Sequence, residues 1–281
     1  MYEDSRKIML PALHRSGHHA IAVWLLHQAE GVDKFDIRTL SQWWFYLKVS
    51  GGINLMFNNP LKKEQQDRDK FNGIMRDIWE GKMARIENHD PKDTKLFIGT
   101  HEREPLKEVA WHCGKSDIFY KTDMVLVIRS FHNWVASCIQ NCIRDPKEQK
   151  GLWGKGVKWN PSALTEHLNE DDFKKYIDHC KHALDGTVPH ILYDRWFVSK
   201  AYRKEIADSL GLHFTDAALN QASPFGGGSS FDGLSYLKNA SEMDVLTRYK
   251  QMEDNEDYQK IIQDNEEAIN LSNQLFGKYH D

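Results

Sequence analysis

Lys7-Ile8-Met9-Leu10-Pro11-Ala12-Leu13-His14-Arg15-Ser16-Gly17-His18-His19 is the stretch on which the fold turns. Lys7 to Leu13 is a short, almost unbroken apolar run, the pattern of a strand buried on both faces. His14 to Gly17 turns the chain. Ala20 to Leu26 is apolar nearly all round, which predicts a buried helix. A strand that passes through a tight turn into a helix leaves the first helical N–H groups unpaired at the positive end of the dipole. Such a terminus attracts phosphate or sulfate. Gly17 allows close backbone approach, and Arg15 adds a planar cation with several donors. Ser16, His18, His19 and Ala20 complete the candidate anion cradle through the N–H groups of residues 16–20. Taken alone, the same residues also describe an ordinary turn carrying a surface arginine. A Walker A loop is excluded, because no Gly-Lys-Ser/Thr follows at the required spacing.

Working outward, Lys95 to Gly99 predicts a second strand. Met124-Val125-Leu126-Val127-Ile128 predicts a third, uninterrupted and central. Ser130 is placed to cap a helix that runs to about Ile143. His190 to Tyr193 predicts a further strand, followed by a helix from Asp194 as N-cap to Leu210, with Gly211 at the C-cap. Strands alternating with helices predict an α/β fold with a central parallel sheet covered by helices on both faces. Residues 32–94 interrupt the alternation. They hold Trp43-Trp44-Phe45-Tyr46, a Gly-Gly turn and a charged helical stretch from about Lys62 to Arg85, and read as a helical insertion. Residues 145–161 read as a loop or lid. The last forty residues are acidic and have helical spacing. No internal repeat or linker divides the chain, which predicts one domain over 1–281.

A second chemical element lies on the third strand. Arg129 ends it, at the sheet edge where open α/β folds bind ligands. Ser137 follows eight residues later. The apolar stripe of that helix is Val135, Cys138, Ile139 and Cys142, so Ser137 falls on the other face with Ser130, Asn133 and Asn141. A polar face turned to the strand-end crevice is what a second anion site requires.

In order, these segments resemble the motifs of sulfotransferases that use 3′-phosphoadenosine 5′-phosphosulfate. Arg15-Ser16-Gly17 is similar to the family's 5′-phosphosulfate loop. Val127-Ile128-Arg129-Ser130 through Ser137 is similar to its 3′-phosphate motif, with the same Arg-to-Ser spacing and strand-to-helix context. Ile191-Leu192-Tyr193-Asp194 is similar to the segment whose tyrosine lies near the adenine, and Leu210-Gly211-Leu212 continues the pattern. The resemblance covers residues 7 to about 213, with unmatched stretches between. It implies a P-loop-like three-layer sandwich and sulfuryl transfer to a hydroxyl or amine of a small-molecule acceptor, without a metal. Arg15 and the amides beside it would hold the leaving 5′-phosphate; Arg129 and Ser137 would hold the 3′-phosphate. The product would be 3′-phosphoadenosine 5′-phosphate.

The sequence also departs from the family. His18-His19 stands where the loop has two hydroxyl residues. The catalytic Lys-Thr-His is reduced to Gly99-Thr100-His101, which leaves His101 as the expected general base, with Glu102, His18 and His19 as the other candidates. The late Arg-Lys-Gly clamp has no match. Gly226-Gly227-Gly228-Ser229-Ser230-Phe231 occupies the comparable stretch and could wrap a phosphate with backbone N–H groups. Trp43, Trp44 and Tyr46, with Glu102, are the expected acceptor-side residues. Two other functions fit parts of the pattern: a small-molecule or nucleotide kinase with a diverged P-loop, and a catalytically silent nucleotide-binding scaffold.

Bulk composition agrees with a single-nucleotide site. The formal net charge is −4, from 37 Lys and Arg against 41 Asp and Glu, whereas a protein that neutralises many phosphates carries a basic excess. Nucleic acid is therefore not the expected partner. No apolar run approaches the ~20 residues of a membrane span. Cys113, Cys138, Cys142 and Cys180 lack metal-ligand spacing and read as reduced core residues, so a cytoplasmic protein is expected.

Overall fold

In the computed structural model the described residues are 6–28, 47–49, 53–58, 96–102, 105–115, 121–143, 164, 168–216, 219–220, 229–232, 236 and 239–277. Trp43, Trp44, Phe45, Tyr46, the stretch from Lys62 to Arg85, residues 145–161 and Gly226, Gly227 and Gly228 lie outside them.

The strands are β1 (Arg6–Ala12), β2 (Leu47–Val49), β3 (Ile53–Asn58), β4 (Leu96–Glu102), β5 (Asp123–Met124), β6 (Leu126–Ile128) and β7 (His190–Leu192). They form one sheet in the order β2-β3-β4-β1-β6-β7, with β5 also paired to β1. Every pairing is parallel except β2 with β3. The helices are α1 (His18–His27), α2 (Leu106–Lys115), α3 (Phe131–Ile143), α4 (Glu170–Leu184), α5 (Tyr193–Val198), α6 (Lys200–Ser209), α7 (Glu256–Asp264) and α8 (Glu266–Phe276).

Side-chain alternation along the central strands divides the core in two. Ile8, Leu10, Ala12, Val125, Val127 and Ile191 pack with α1, Trp196 and Ile206 on one face. Leu126, Ile128 and Leu192 pack with α3, Tyr176, Cys180 and Ala268 on the other. A period of two on strands buried on both faces therefore produces three layers. The apolar girdle of α1 follows from its place against the sheet: Ile21 through Leu25 are all fully buried.

The structure corrects five details of the sequence reading. The insertion is not helical throughout: β2 and β3 belong to it, and β3 extends the sheet beside β4. The third strand is broken at Val125, whose N–H donates to the Met9 carbonyl. Asp194 is not an N-cap, because helix α5 starts at Tyr193 with Leu192 at the cap. The expected single helix to Leu210 is two, divided at Ser199, whose hydroxyl accepts from the Tyr202 N–H and caps α6. The Ser130 hydroxyl donates to Asp194 instead of capping α3. Gly211 does take the left-handed conformation expected after a helix C-terminus, with φ +59.

Candidate functional site

Register brings the two candidate anion elements together. Ala12 of β1 pairs with Val127 of β6, so Arg15 and Arg129 leave neighbouring strands at the same edge of the sheet. This edge lies beside β1, where the connections diverge to β3 and β4 on one side and β6 and β7 on the other, the usual ligand crevice of an open α/β sheet.

The turn after β1 is held in an uncommon conformation. Arg15 has φ +62 and Gly17 has φ +87. A left-handed arginine costs about 1–2 kcal/mol, and such residues concentrate at ligand sites. Gly17 has a second constraint. A Cβ there would lie 2.3 Å from the Tyr193 ring, so only glycine lets the ring and the turn touch. Inside the turn the Ser16 N–H donates to Leu13 O at 3.2 Å and the Ala20 N–H to Gly17 O at 3.0 Å. The amides of Ser16 and Ala20, both in the expected cradle of residues 16–20, are therefore engaged within the turn itself. The Ser16 hydroxyl and His18 Nδ1 are 3.2 Å apart, and both residues are buried.

The Arg15 side chain reaches across the site to Ser230. Nε and Nη2 donate to Ser230 Oγ at 3.0 and 2.6 Å, and Ser230 Oγ lies 2.7 Å from Ser137 Oγ. A hydroxyl has two acceptor lone pairs and one proton. With both lone pairs of Ser230 taken by the guanidinium, its proton is given to Ser137. The Ser137 proton then has no acceptor among the described residues. The chain of donors runs one way and ends in a hydroxyl ready to donate.

Arg129 stands beside that end. Nη1 donates to the Arg15 carbonyl at 3.3 Å and Nη2 to the Val245 carbonyl at 3.2 Å. A guanidinium has five N–H donors; these two bonds leave three without an acceptor among the described residues, although the residue is 4 % exposed. The guanidinium sits 5.3 Å from the centre of the Tyr193 ring, which also stacks on Trp196. Burial raises the Tyr193 pKa, and Arg129 and Arg248 oppose that rise.

Arg248 is the member that the sequence reading missed. It is buried, ion-paired to Asp232, and set against the Phe231 ring at 5.3 Å. Burial, then the nearby charge of Arg129, lowers its pKa. Two like charges brought together in a low-dielectric interior favour an anion between or beside them. Arg248 comes from an acidic C-terminal stretch with no strand-end context, so only packing identifies it. Asn133 locks the same stretch in place: its amide donates to Leu246 O at 2.8 Å and its oxygen accepts from the Tyr249 N–H at 3.3 Å. Ser230, Leu246 and Tyr249 consequently cover the polar face of α3 at Ser137 and Asn133, both of which are buried.

Of the other expected residues, Ser229 turns inward to cap its own loop, its hydroxyl donating to Asp232 at 2.9 Å and accepting from the Phe231 N–H at 3.2 Å. His101 and Glu102 occupy the last two positions of β4, in register with Pro11 and Ala12. Their backbone is thus at the edge that carries Arg15. His19 contacts His18 with ring centres 4.2 Å apart. Among the described residues no group of His, Cys, Asp and Glu is arranged to hold a metal ion, and no helix is long and apolar enough to cross a membrane. All four cysteines are free and buried.

No family model and no curated protein matches the chain. Solved structures similar to it include the sulfotransferase domain of the Synechococcus PCC 7002 olefin synthase, at 14 % identity over 97 % of this chain and 96 % of that chain, with a TM-score of 0.48. The sulfotransferase domain of the curacin biosynthetic pathway is 16 % identical over 98 % of each chain, with a TM-score of 0.40. A mouse sulfotransferase complexed with PAP is 14 % identical over 92 % of this chain and 90 % of that one, with a TM-score of 0.39.

Proposed function

We propose that this chain is a sulfotransferase that moves a sulfuryl group from 3′-phosphoadenosine 5′-phosphosulfate to a hydroxyl or amine of a small-molecule acceptor. One observation carries the reading: the one-way hydrogen-bond chain from Arg15 through Ser230 to Ser137, which ends in a donor beside the unsatisfied N–H groups of Arg129. Two anion-binding elements joined by a shared serine fit a ligand with two phosphate-like groups on one ribose better than a linear triphosphate.

In this reading Arg15 and the amides of residues 17–19 hold the leaving 5′-phosphate, and Ser16 and Ala20 fix the turn. Arg129, Ser137 and Ser230 hold the 3′-phosphate, with Arg248 adding charge and the backbone N–H groups of Gly227, Gly228 and Ser229 enclosing it. Tyr193 keeps Gly17 and Arg129 in place beside the nucleoside. The bound nucleotide supplies an activated sulfuryl group. Charge grows on the leaving oxygen as the acceptor attacks in line, so placed cations and amides do most of the catalysis. His101 removes the acceptor proton, with Glu102 beside it. Trp43, Trp44 and Tyr46, within the insertion at 32–94 of a single domain, form the acceptor side. No metal and no nucleic acid takes part.

The test is transfer of radiolabelled sulfate from the nucleotide to a panel of phenols, alcohols and amines without added metal. A labelled acceptor supports the proposal. Tight nucleotide binding with no transfer to any acceptor supports a silent scaffold instead.

A further inference from the structure

Beneath the Arg15 turn lies a small cavity lined by Leu13, Ser16, Arg129, Trp134, Tyr176 and His179, among others. The space in it open to the centre of a water molecule is ≈ 10 Å³, room for about one water. Two buried polar atoms on its lining residues, Arg129 Nε and His179 Nε2, have no hydrogen-bond partner among the described residues. An unsatisfied buried donor or acceptor costs about 1–3 kcal/mol, so two of them at one cavity call for a common partner.

Both come from elements built to hold Arg129. Tyr176 and His179 are three apart on α4 and therefore share a face of that helix. The Tyr176 hydroxyl donates to the Arg129 carbonyl at 2.8 Å, and His179 lines the same cavity as Arg129. Burial drives the His179 pKa down to about 4, so near neutral pH the ring is uncharged and one of its nitrogens is an acceptor.

We infer that one buried water occupies this cavity, accepting from Arg129 Nε and donating to His179 Nε2, so that His179 positions the Arg129 guanidinium for its phosphate. The two residues that carry these orphaned nitrogens line one space, which is too small for any other common ligand. His179 acts through Arg129 and does not touch the nucleotide. The positioning role rests on the proposed two-phosphate site; the water itself does not.

A crystal structure of the wild-type protein at a resolution that shows ordered solvent tests the water directly. A peak within hydrogen-bonding distance of both nitrogens is expected, and a dry cavity overturns the inference. Calorimetry tests the positioning role. His179→Phe should weaken 3′-phosphoadenosine 5′-phosphate about tenfold and leave AMP, which lacks the 3′-phosphate, unchanged. His179→Gln, which keeps an acceptor, should recover most of the loss. In an Arg129→Ala background His179→Phe should have no further effect. Equal weakening of both nucleotides by His179→Phe would show a merely structural role and overturn the inference. If the wild-type protein fails to prefer 3′-phosphoadenosine 5′-phosphate over AMP, the proposed function falls, while the solvent peak still decides the water.

Discussion

The Arg15 guanidinium donates twice to the Ser230 hydroxyl, across 215 residues of chain, at 3.0 and 2.6 Å. Because Ser230 also meets Ser137, the two proposed anion elements are one hydrogen-bonded unit. Ser230→Ala should therefore weaken 3′-phosphoadenosine 5′-phosphate roughly tenfold, the value of a charge-assisted bond. Ser137→Ala should cost about as much, and the double variant little more than either alone. Calorimetry on the three variants checks this; fully additive losses would mean that the two serines act separately.

Gly17 is bound to its place by conformation and by Tyr193. Gly17→Ala adds a left-handed alanine and a methyl group 2.3 Å from the ring, a loss of roughly 2–4 kcal/mol by the sum of both effects. Urea unfolding measures it. Combining the change with Tyr193→Ala should remove the steric part, so the double variant should be less destabilised than the sum of the singles predicts.

His179 makes stability depend on pH in a stated direction. Its pKa is lowered from 6.5 to about 4, by burial first and then by His182 and Lys175 on its own helix; Arg129 lines the same cavity. Between those values the unfolded chain binds a proton that the folded chain does not. The contribution is fully present above pH 6.5 and is lost as pH falls toward 4, by about 3 kcal/mol in all. Urea midpoints between pH 7 and 4.5 should fall less steeply in His179→Phe than in the wild type. Parallel curves would contradict the assignment.

Much of this architecture is legible in the amino-acid order because local physics decides it. The apolar run before Arg15, the break at Gly17 and the eight-residue spacing from Arg129 to Ser137 each follow from one strand or one helix. What is not legible depends on packing across long separations. Arg248 reaches the site only because Asn133 pins the backbone at Leu246 and Tyr249, and no local pattern announces that clamp. Asp194 reads as a helix cap by residue type, but it is buried and takes the Ser130 hydroxyl. The insertion reads as helical from its charged stretch, yet Ile53–Asn58 is an apolar strand that finds β4 as its partner.

His101 is the penultimate residue of β4, in register with Pro11, three residues before His14. As the proposed general base it sets a clear pattern of loss: His101→Ala should lower turnover about 10²–10⁴-fold while nucleotide affinity is kept. Single-turnover kinetics with calorimetry separates the two quantities. Unchanged turnover would transfer the role to Glu102, His18 or His19.

The central claim is a site for two separate phosphate-like groups, one at Arg15 and one at Arg129 and Ser137. Calorimetric titration with 3′-phosphoadenosine 5′-phosphate, beside ATP plus magnesium, tests it most directly. The account predicts tight binding of the former without metal, weakened by Arg129→Ala, and little binding of ATP. A preference for ATP with magnesium would contradict it and favour a diverged kinase.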